Sequence, residues 1–346
     1  MGTAVEYEEI EQILEQILGK GVEFQRLVEE VINSGQGFSL GKWASTIGTV
    51  ILEQLKKQGD QVLYFFFLVI SASVLSVIAK AFRNRQISDI GFYMIYLLMF
   101  VIMMRSFGAC YSLAENVVKD LVDFMKVLMP AYLMAAAVSS YRMSAVVYYE
   151  GFLVLVYYLQ KLVEVLILPA IRCYALFTML GHLGKEEIFS VGRTSLKKGI
   201  LFLFKVMVGV TGGLQMIQGM ISPAIDQWKQ TAWSSGISGL GNIGNIAQNV
   251  REMVFGSGML LKNGIGVAAS IIIVSICLLP AIEVGCYVLF YQIIAAVAEP
   301  ISDKKIINMI GDMGEGMELL VKLLFTVAAM FLLTIAIICV MTGGIG

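Results

Sequence analysis

The sequence predicts an all-α, polytopic helical membrane protein with a small helical head at its N-terminus. Three observations support this fold class: 58% of the 346 residues are hydrophobic, only 15% are charged, and charge-free apolar runs recur along the chain. Soluble domains carry about a quarter charged residues and cannot bury this much apolar surface. A transmembrane barrel would show alternating strands of about ten residues instead. The composition therefore excludes a disordered chain, a secreted disulfide scaffold and an ordinary soluble enzyme.

Residues 1–58 form the predicted soluble head. Apolar Ile10, Ile13 and Ile17 recur at helical spacing between glutamates, which is typical of amphipathic helices. Residues 1–60 carry ten acidic and five basic side chains, a balance of −5. The remaining residues carry sixteen acidic and twenty basic side chains, a balance of +4, so the net charge is −1. An acidic head is thus expected to precede a mildly basic membrane domain.

The membrane domain is predicted to cover residues 59–346. Its first charge-free run, residues 61–79, has the length needed to cross a bilayer. Lys80, Arg83 and Arg85 follow at once, and the positive-inside rule places them in the cytoplasm. The head is therefore expected on the external side, so either it crosses with the first span or a signal peptide before it has been removed.

Further spans are expected along the rest of the chain. Residues 115–126 are amphipathic and are predicted to lie in the interface. Residues 127–141 are too short for a comfortable span and are expected to be re-entrant or part of a broken helix. The basic loop at 182–200 is predicted to be cytoplasmic. Counting re-entrant pieces, about seven to ten spans are expected. The other predicted spans are 87–114, a hairpin of 143–160 and 162–181, then 206–225, 263–282, 284–298 and 323–346.

An internal repeat is predicted from two similar segments. Residues 168–171 and 279–282 both read Leu-Pro-Ala-Ile, and Cys-Tyr follows each of them. The predicted halves are residues 127–190 and 238–303, and chance similarity among common apolar residues is the alternative. Internal repeats with Pro-broken helices are one way to build membrane transport proteins. Because proline removes a backbone donor and kinks a helix, the predicted helix breaks are Pro130, Pro169 and Pro280.

A segment rich in Gly, Ser and Asn, residues 234–245, makes a poor lipid-facing helix. Irregular backbone at membrane depth is tolerated only where protein or water satisfies its polar groups. Gly239, Gly241, Gly244 and Asn245 are therefore candidates for lining an aqueous path. The alternative is that residues 226–262 form an external loop.

Ionisable side chains within apolar runs are the other candidates for a pathway. A charge in hydrocarbon is costly, so Glu150, Glu164 and Arg172 should face water, protein or one another. Glu150 lies in mid-run and is the strongest single candidate. Glu164 and Arg172 are eight residues apart, and they share a helix face only if Pro169 does not redirect the helix. For charges at run ends, the alternative is snorkelling to the interface.

No catalytic, cofactor or metal site is expected, and the chain is not predicted to be an enzyme. The sequence contains no HExxH, GxSxG or Walker motif. It has one histidine, His182, and five cysteines without a CxxC pair, which argues against a zinc site. No basic cluster is dense enough to indicate binding to nucleic acid.

Several segments resemble the stage III sporulation protein AE family. They are Leu260-Leu261-Lys262-Asn263 with Pro280, Phe38-Ser39 before Trp43, and Leu128-Met129-Pro130. The resemblance implies a multi-pass protein in the mother-cell membrane facing the forespore. It also implies a channel or export-platform subunit of the secretion apparatus between the two cells, which is required for endospore formation.

The same resemblance implies the partners. They are the other membrane proteins of the same stage III sporulation operon and the forespore-side partner complex, and a homo-oligomer is compatible with this assembly. No cofactor is implied. Two other functions fit the same residues: a stand-alone secondary transporter and a non-conducting membrane scaffold. A transporter should move a solute by itself in liposomes, whereas a platform subunit should be inert without its partners.

Overall fold

The computed structural model describes residues 10–12, 67, 70–71, 85–140, 145–181, 188–237, 243–300 and 304–342. Every regular element in this part of the chain is helical, which confirms the all-α class. The elements are α1 (Arg85–Ser140), α2 (Ala145–Leu162), a π-helix (Val163–Ile167), α3 (Leu168–Gly181), α4 (Ile188–Ile237), α5 (Ile243–Ala298) and α6 (Lys304–Thr342).

Membrane-spanning character is confirmed by length and composition. Among the described residues, four stretches are long and apolar enough to cross a membrane: Tyr96–Ala135, Gly151–Gly181, Asn263–Ala298 and Lys304–Cys339. The first predicted span, residues 61–79, lies almost wholly outside the described residues. The predicted span at 206–225 lies within α4, and the side chains of residues 218–225 also lie outside them.

Several predicted helix boundaries are wrong. The hairpin expected between residues 160 and 162 does not exist, because α2, the π-helix and α3 follow one another without a turn. The spans predicted at 263–282 and 284–298 are both parts of α5. The predicted spans ended at charged residues such as Lys161 and Glu283. Lysine and glutamate are good helix formers, so a charge ends an apolar run without ending the helix.

Pro130 and Pro280 do not end the helices in which they lie. Pro130 and Pro280 lie inside α1 and α5, which continue on both sides, so the predicted breaks are not confirmed there. Pro169 follows the π-helix, in which the Leu168 amide donates to the Val163 carbonyl five residues earlier. Proline lacks an amide donor and crowds the carbonyl four residues before it, and a wider π-turn accommodates both effects.

The predicted internal repeat is not confirmed. Its first Leu-Pro-Ala-Ile segment opens α3 directly after the π-helix, whereas its second lies in the interior of α5. The predicted division into a head and a membrane domain stays a prediction, because most of residues 1–58 lie outside the described part. Ile10 is described, and it is fully buried in the main apolar cluster.

Contacts between side chains fix the directions of α1, α5 and α6. A Cβ on Gly316 would stand 3.7 Å from the Phe107 ring, and the Tyr132 hydroxyl donates to the Ile335 carbonyl at 3.4 Å. The higher-numbered residue of α1 contacts the higher-numbered residue of α6, so α1 and α6 run parallel. A Cβ on Gly266 would meet the Tyr132 hydroxyl oxygen at 3.3 Å, so this glycine lets α5 approach α1 and α6 closely.

α5 runs antiparallel to α6, because Gly314 of α6 packs against Tyr291 while Ile335 lies beside Gly266. α3 runs antiparallel to α1, because the Tyr96 hydroxyl donates to the Met179 carbonyl while Arg172 lies over the Tyr111 ring. α1 and α6 thus run in one direction, and α3 and α5 run in the other.

The central element of this bundle is α6, which contacts α1, α3, α4 and α5. Six of its fully buried residues follow one stripe at three-and-four spacing: Met309, Met313, Met317, Leu320, Leu324 and Val327. Large apolar side chains on the outer helices are exposed, including Val154 of α2, Met216 of α4 and Ile293 of α5. A surface of this kind suits contact with lipid or with other membrane proteins rather than with water.

Candidate functional site: a polar stripe on the bundle surface

Charged and polar side chains follow one face of α1 and the neighbouring part of α2 and the π-helix. We call this surface the α1–α2 polar stripe. Its members are Lys119, Asp120, Asp123, Lys126, Gln160, Lys161 and Glu164. Helical spacing accounts for it on α1, since residues 119, 123 and 126 fall on one face while Leu121, Val122 and Met125 fall on the other and are fully buried.

Contacts run continuously along the stripe from α1 to the π-helix. The Lys126 ammonium donates to an oxygen of Asp123 at 3.2 Å and to the Gln160 amide oxygen at 3.4 Å. The Gln160 amide donates to Glu164 at 3.0 Å, and the Lys161 ammonium lies 3.6 Å from the other Glu164 oxygen. The side chains of the four charged residues in these contacts are between 39% and 53% exposed. The stripe therefore lies on the outside of the bundle.

The depth of the stripe follows from the position of Tyr132. Lys126 precedes Tyr132 by six residues, which is about 9 Å along the helix. Because Tyr132 touches Gly266 and Ile335, Lys126 lies level with about residue 272 of α5 and about residue 329 of α6.

Both of these levels fall near the middle of charge-free runs. Residues 263–282 of α5 and 323–342 of α6 contain no Asp, Glu, Lys or Arg. Each run has about the twenty residues needed to cross the hydrocarbon core of a bilayer. Asp123 and Lys126 of the α1–α2 polar stripe therefore lie at a depth where the neighbouring helices carry no charged side chain.

A second polar feature joins α3, α4 and α6, and we call it the α4–α6 ion-pair cluster. Arg193 of α4 pairs with Asp312 of α6, and the Lys197 ammonium lies 2.8 Å from Glu315. The hydroxyl of Tyr174, whose side chain is fully buried, donates to the same Glu315 oxygen at 2.9 Å. The later basic residue of α4 pairs with the later acidic residue of α6, so α4 runs parallel to α6.

Matching spacings on the two helices produce this cluster. The basic pair on α4 is spaced i, i+4 and the acidic pair on α6 i, i+3, and both spacings place side chains one turn apart on one face. Glu315 precedes the charge-free run of α6 by eight residues, about 12 Å. The cluster therefore lies near one edge of the apolar layer rather than at its middle.

The structure brings one of the predicted pathway residues, Glu164, into the polar stripe. Arg172 lies elsewhere: its guanidinium carbon is 5.3 Å from the centre of the Tyr111 ring. These two residues thus have different partners rather than each other. Glu150 lies on α2, and its side chain lies outside the described residues.

The predicted small-residue pathway is described only in part. Gly239 and Gly241 lie outside the described residues. Gly244 and Asn245 form the beginning of α5, and their side-chain environment is outside the described part as well. Their role in a pathway stays a prediction.

The remaining members of either feature were not predicted from the sequence as site residues. Residues 115–126 were predicted to lie in the interface and residues 182–200 in a loop, whereas residues 115–126 belong to α1 and residues 188–200 to α4. The sequence did contain one signal that could have identified these residues, namely opposite charges at helical spacing on two segments. Within the described ranges, no group of three or more His, Cys, Asp or Glu residues is placed to hold a metal ion.

Comparison with known proteins gives a consistent result over most of the chain. Residues 22–342 match the family model described as stage III sporulation protein AE. A relative, the stage III sporulation protein AE of Bacillus subtilis (strain 168), is 21% identical over 311 residues, which cover 89% of this chain and 78% of the relative. No solved structure matches the chain.

Proposed function

The chain belongs to the stage III sporulation protein AE family, and from this premise we propose that it is a membrane channel or export-platform subunit of the secretion apparatus between mother cell and forespore. Four helices able to cross a membrane support a multi-pass location. The proposal places the chain in the mother-cell membrane that faces the forespore, where it is required for endospore formation.

The observation that carries this proposal is the depth of the α1–α2 polar stripe. Each Lys or Asp at the centre of a lipid-facing helix costs about 2.5–3.5 kcal/mol on insertion scales. The stripe holds six charged side chains beside charge-free stretches of α5 and α6. Pairing between Lys126 and Asp123 reduces this cost, but both side chains stay about two-fifths exposed. The stripe is therefore expected to face water or another protein instead of lipid.

This arrangement suits a subunit of a larger assembly. A helical bundle with a lipid-compatible surface on most sides and one polar side can border an aqueous path when several subunits meet. The α4–α6 ion-pair cluster has a different role in this proposal, because it holds the central helix to α4 from within. It supports the bundle rather than the path.

Purification and reconstitution test the proposal against a stand-alone transporter. Tagged chain from sporulating cells is expected to co-purify with the other membrane proteins of its operon. The purified chain is reconstituted alone in liposomes loaded with labelled amino acids, sugars or ions. These liposomes are expected to release none of the solutes faster than equally loaded liposomes without protein. Release of a particular solute by the chain alone, with no retained partners, would favour the transporter and contradict the proposal.

A further inference from the structure

We infer that the outer face of α4 binds the headgroup of an anionic phospholipid between Lys198 and Lys205. We call this surface the α4 lysine face. It consists of Lys198, Phe202 and Lys205, which follow one another at helical spacing and are all exposed. The inference goes beyond the proposed function and does not depend on it. It is carried by positive charge without a partner in the chain, by the depth of the two lysines and by the apolar residues beside them.

The positive charge of α4 is only half compensated. Residues 188–225 contain four basic residues and no acidic one. Two of the four, Arg193 and Lys197, pair with carboxylates of α6. The other two, Lys198 and Lys205, are exposed and form no ion pair with any residue that the structure describes. The outer surface of this helix therefore presents two positive charges that an anion can neutralise.

The depth of these two lysines follows from the α4–α6 ion-pair cluster. Lys197 of α4 lies beside Glu315 of α6, and the two helices run parallel. Eight residues farther along, Lys205 is therefore level with about residue 323 of α6. The charge-free run of α6 begins at that residue, and the charge-free run of α4 begins directly after Lys205. Lys205 thus lies at the edge of the apolar layer, and Lys198 lies about 10 Å farther out.

Lipid phosphates lie between these two levels. The headgroup region adds about 5–8 Å to each side of the hydrocarbon core. A phosphate in this region lies outside the level of Lys205 and inside the level of Lys198, and both flexible lysine stems can carry their ammonium groups towards it. An anionic headgroup is attracted by both charges. A zwitterionic headgroup is attracted less, because it also carries a positive group that the lysines repel.

The α4 lysine face lies at a basic end of the bundle. Because α1, α4 and α6 run parallel, Arg85 at the start of α1 and Lys304 and Lys305 at the start of α6 lie towards the same end as Lys198. The positive-inside rule predicts that such an end faces the cytoplasm. Anionic lipids give the cytoplasmic leaflet a negative surface potential, which attracts basic segments close to the membrane.

Exposed apolar side chains adjoin the two lysines. Phe202 is 65% exposed between them, and Val208 and Val210 are exposed just beyond Lys205, on its bilayer side. Binding to a lipid surface is strengthened by apolar contact together with attraction between basic side chains and anionic lipids. One lipid molecule can therefore meet the lysines with its phosphate and the valines with its acyl chains.

A tryptophan placed between the lysines reports which lipid lies there. Phe202→Trp is introduced into the full chain, with the three native tryptophans replaced by Phe, and the purified protein is reconstituted in vesicles of phosphatidylcholine. Brominated phosphatidylglycerol is added in increasing fractions, and brominated phosphatidylcholine gives the reference. We expect phosphatidylglycerol to bind at least about fivefold more tightly than phosphatidylcholine at position 202, because even one lysine near an anionic surface contributes a factor of about this size.

Variants of the two lysines test whether they cause this preference. Lys198→Gln combined with Lys205→Gln is expected to lower it below about twofold, whereas Lys198→Arg combined with Lys205→Arg, which keeps both charges, is expected to retain it. Phe325→Trp in the same background is the control reporter. Phe325 is 51% exposed on α6, and Lys322, one turn before it, already pairs with Glu318 at 2.7 Å. Its expected preference is below about twofold.

Three results would overturn the inference. They are a preference below about twofold at position 202 with both lysines present, an unchanged preference after both lysines are replaced by Gln, and an equal preference at positions 202 and 325. The last result would mean that anionic lipid gathers around the whole protein rather than on the α4 lysine face. Because the measurement uses the purified chain without partners, its failure would leave the proposed function untouched.

Discussion

Replacing Asp123 by Asn and Lys126 by Met is expected to lower the yield of heat-resistant spores at least about tenfold, while the protein remains in the membrane at its normal level. The two side chains form a pair 3.2 Å apart that is about two-fifths exposed. Pairs of this kind contribute only about 0–1 kcal/mol to stability. Neutral residues of similar shape also insert more readily into a bilayer, so a loss of spores in these cells reflects a lost polar surface rather than a lost fold.

Spore counts after heating, together with immunoblots of the membrane fraction, measure this effect. Lys205→Met is the matched control, because Lys205 is an exposed lysine on α4 outside the stripe. Cells with the control are expected to sporulate normally. Wild-type spore yield from the Asp123→Asn, Lys126→Met double variant would show that the charges of the stripe are dispensable.

Reversing one charge in the α4–α6 ion-pair cluster is expected to destabilise the bundle. Lys197→Glu places a second carboxylate beside Glu315, where an ammonium now lies at 2.8 Å. Breaking a buried ion pair costs about 3–5 kcal/mol, and since these side chains are 34% and 43% exposed, we expect about 1–3 kcal/mol. The loss should appear as a lower Tm of the detergent-purified protein.

A double reversal separates pairing from packing. Lys197→Glu combined with Glu315→Lys is expected to recover most of the lost Tm, because opposite charges face each other again. Lys322→Glu is the control: it opposes Glu318 one turn away on the same helix, in a pair of similar exposure. Its expected effect is below about 0.5 kcal/mol. If the double variant is as unstable as Lys197→Glu alone, side-chain packing rather than charge pairing stabilises the cluster.

The sequence was sufficient for the fold class and for part of the polar stripe. Composition alone identifies a helical membrane protein, because bilayer-length apolar runs have few other uses. Glu164 was identified for a similar local reason, as a charge within such a run. The helix boundaries were harder, since Lys161 and Glu283 interrupt hydropathy without interrupting the hydrogen bonds of the helix. Hydropathy indicates whether a segment faces lipid or water, whereas the end of a helix depends on turn and capping residues.

The remaining site residues depended on information that is not local. Arg193 and Asp312 are 119 residues apart, and only the parallel packing of α4 on α6 brings them together. Lys126 and Asp123 are visible as an amphipathic pattern, but their depth follows from Tyr132 touching Gly266 of α5. An amphipathic segment of this composition fits both the membrane surface and the side of a bundle. The neighbouring helices decide between them.

Fluorescence quenching by brominated lipid measures whether the α1–α2 polar stripe is exposed to lipid. A fluorophore attached to Lys126→Cys is compared with one attached to Phe325→Cys, in protein lacking the five native cysteines and reconstituted in vesicles of brominated lipid. Phe325 is 51% exposed on α6, within about 6 Å of the same depth. We expect strong quenching at position 325 and little at position 126, because water or protein covers the stripe. Equal quenching at both positions would place the stripe against lipid and contradict the proposed function.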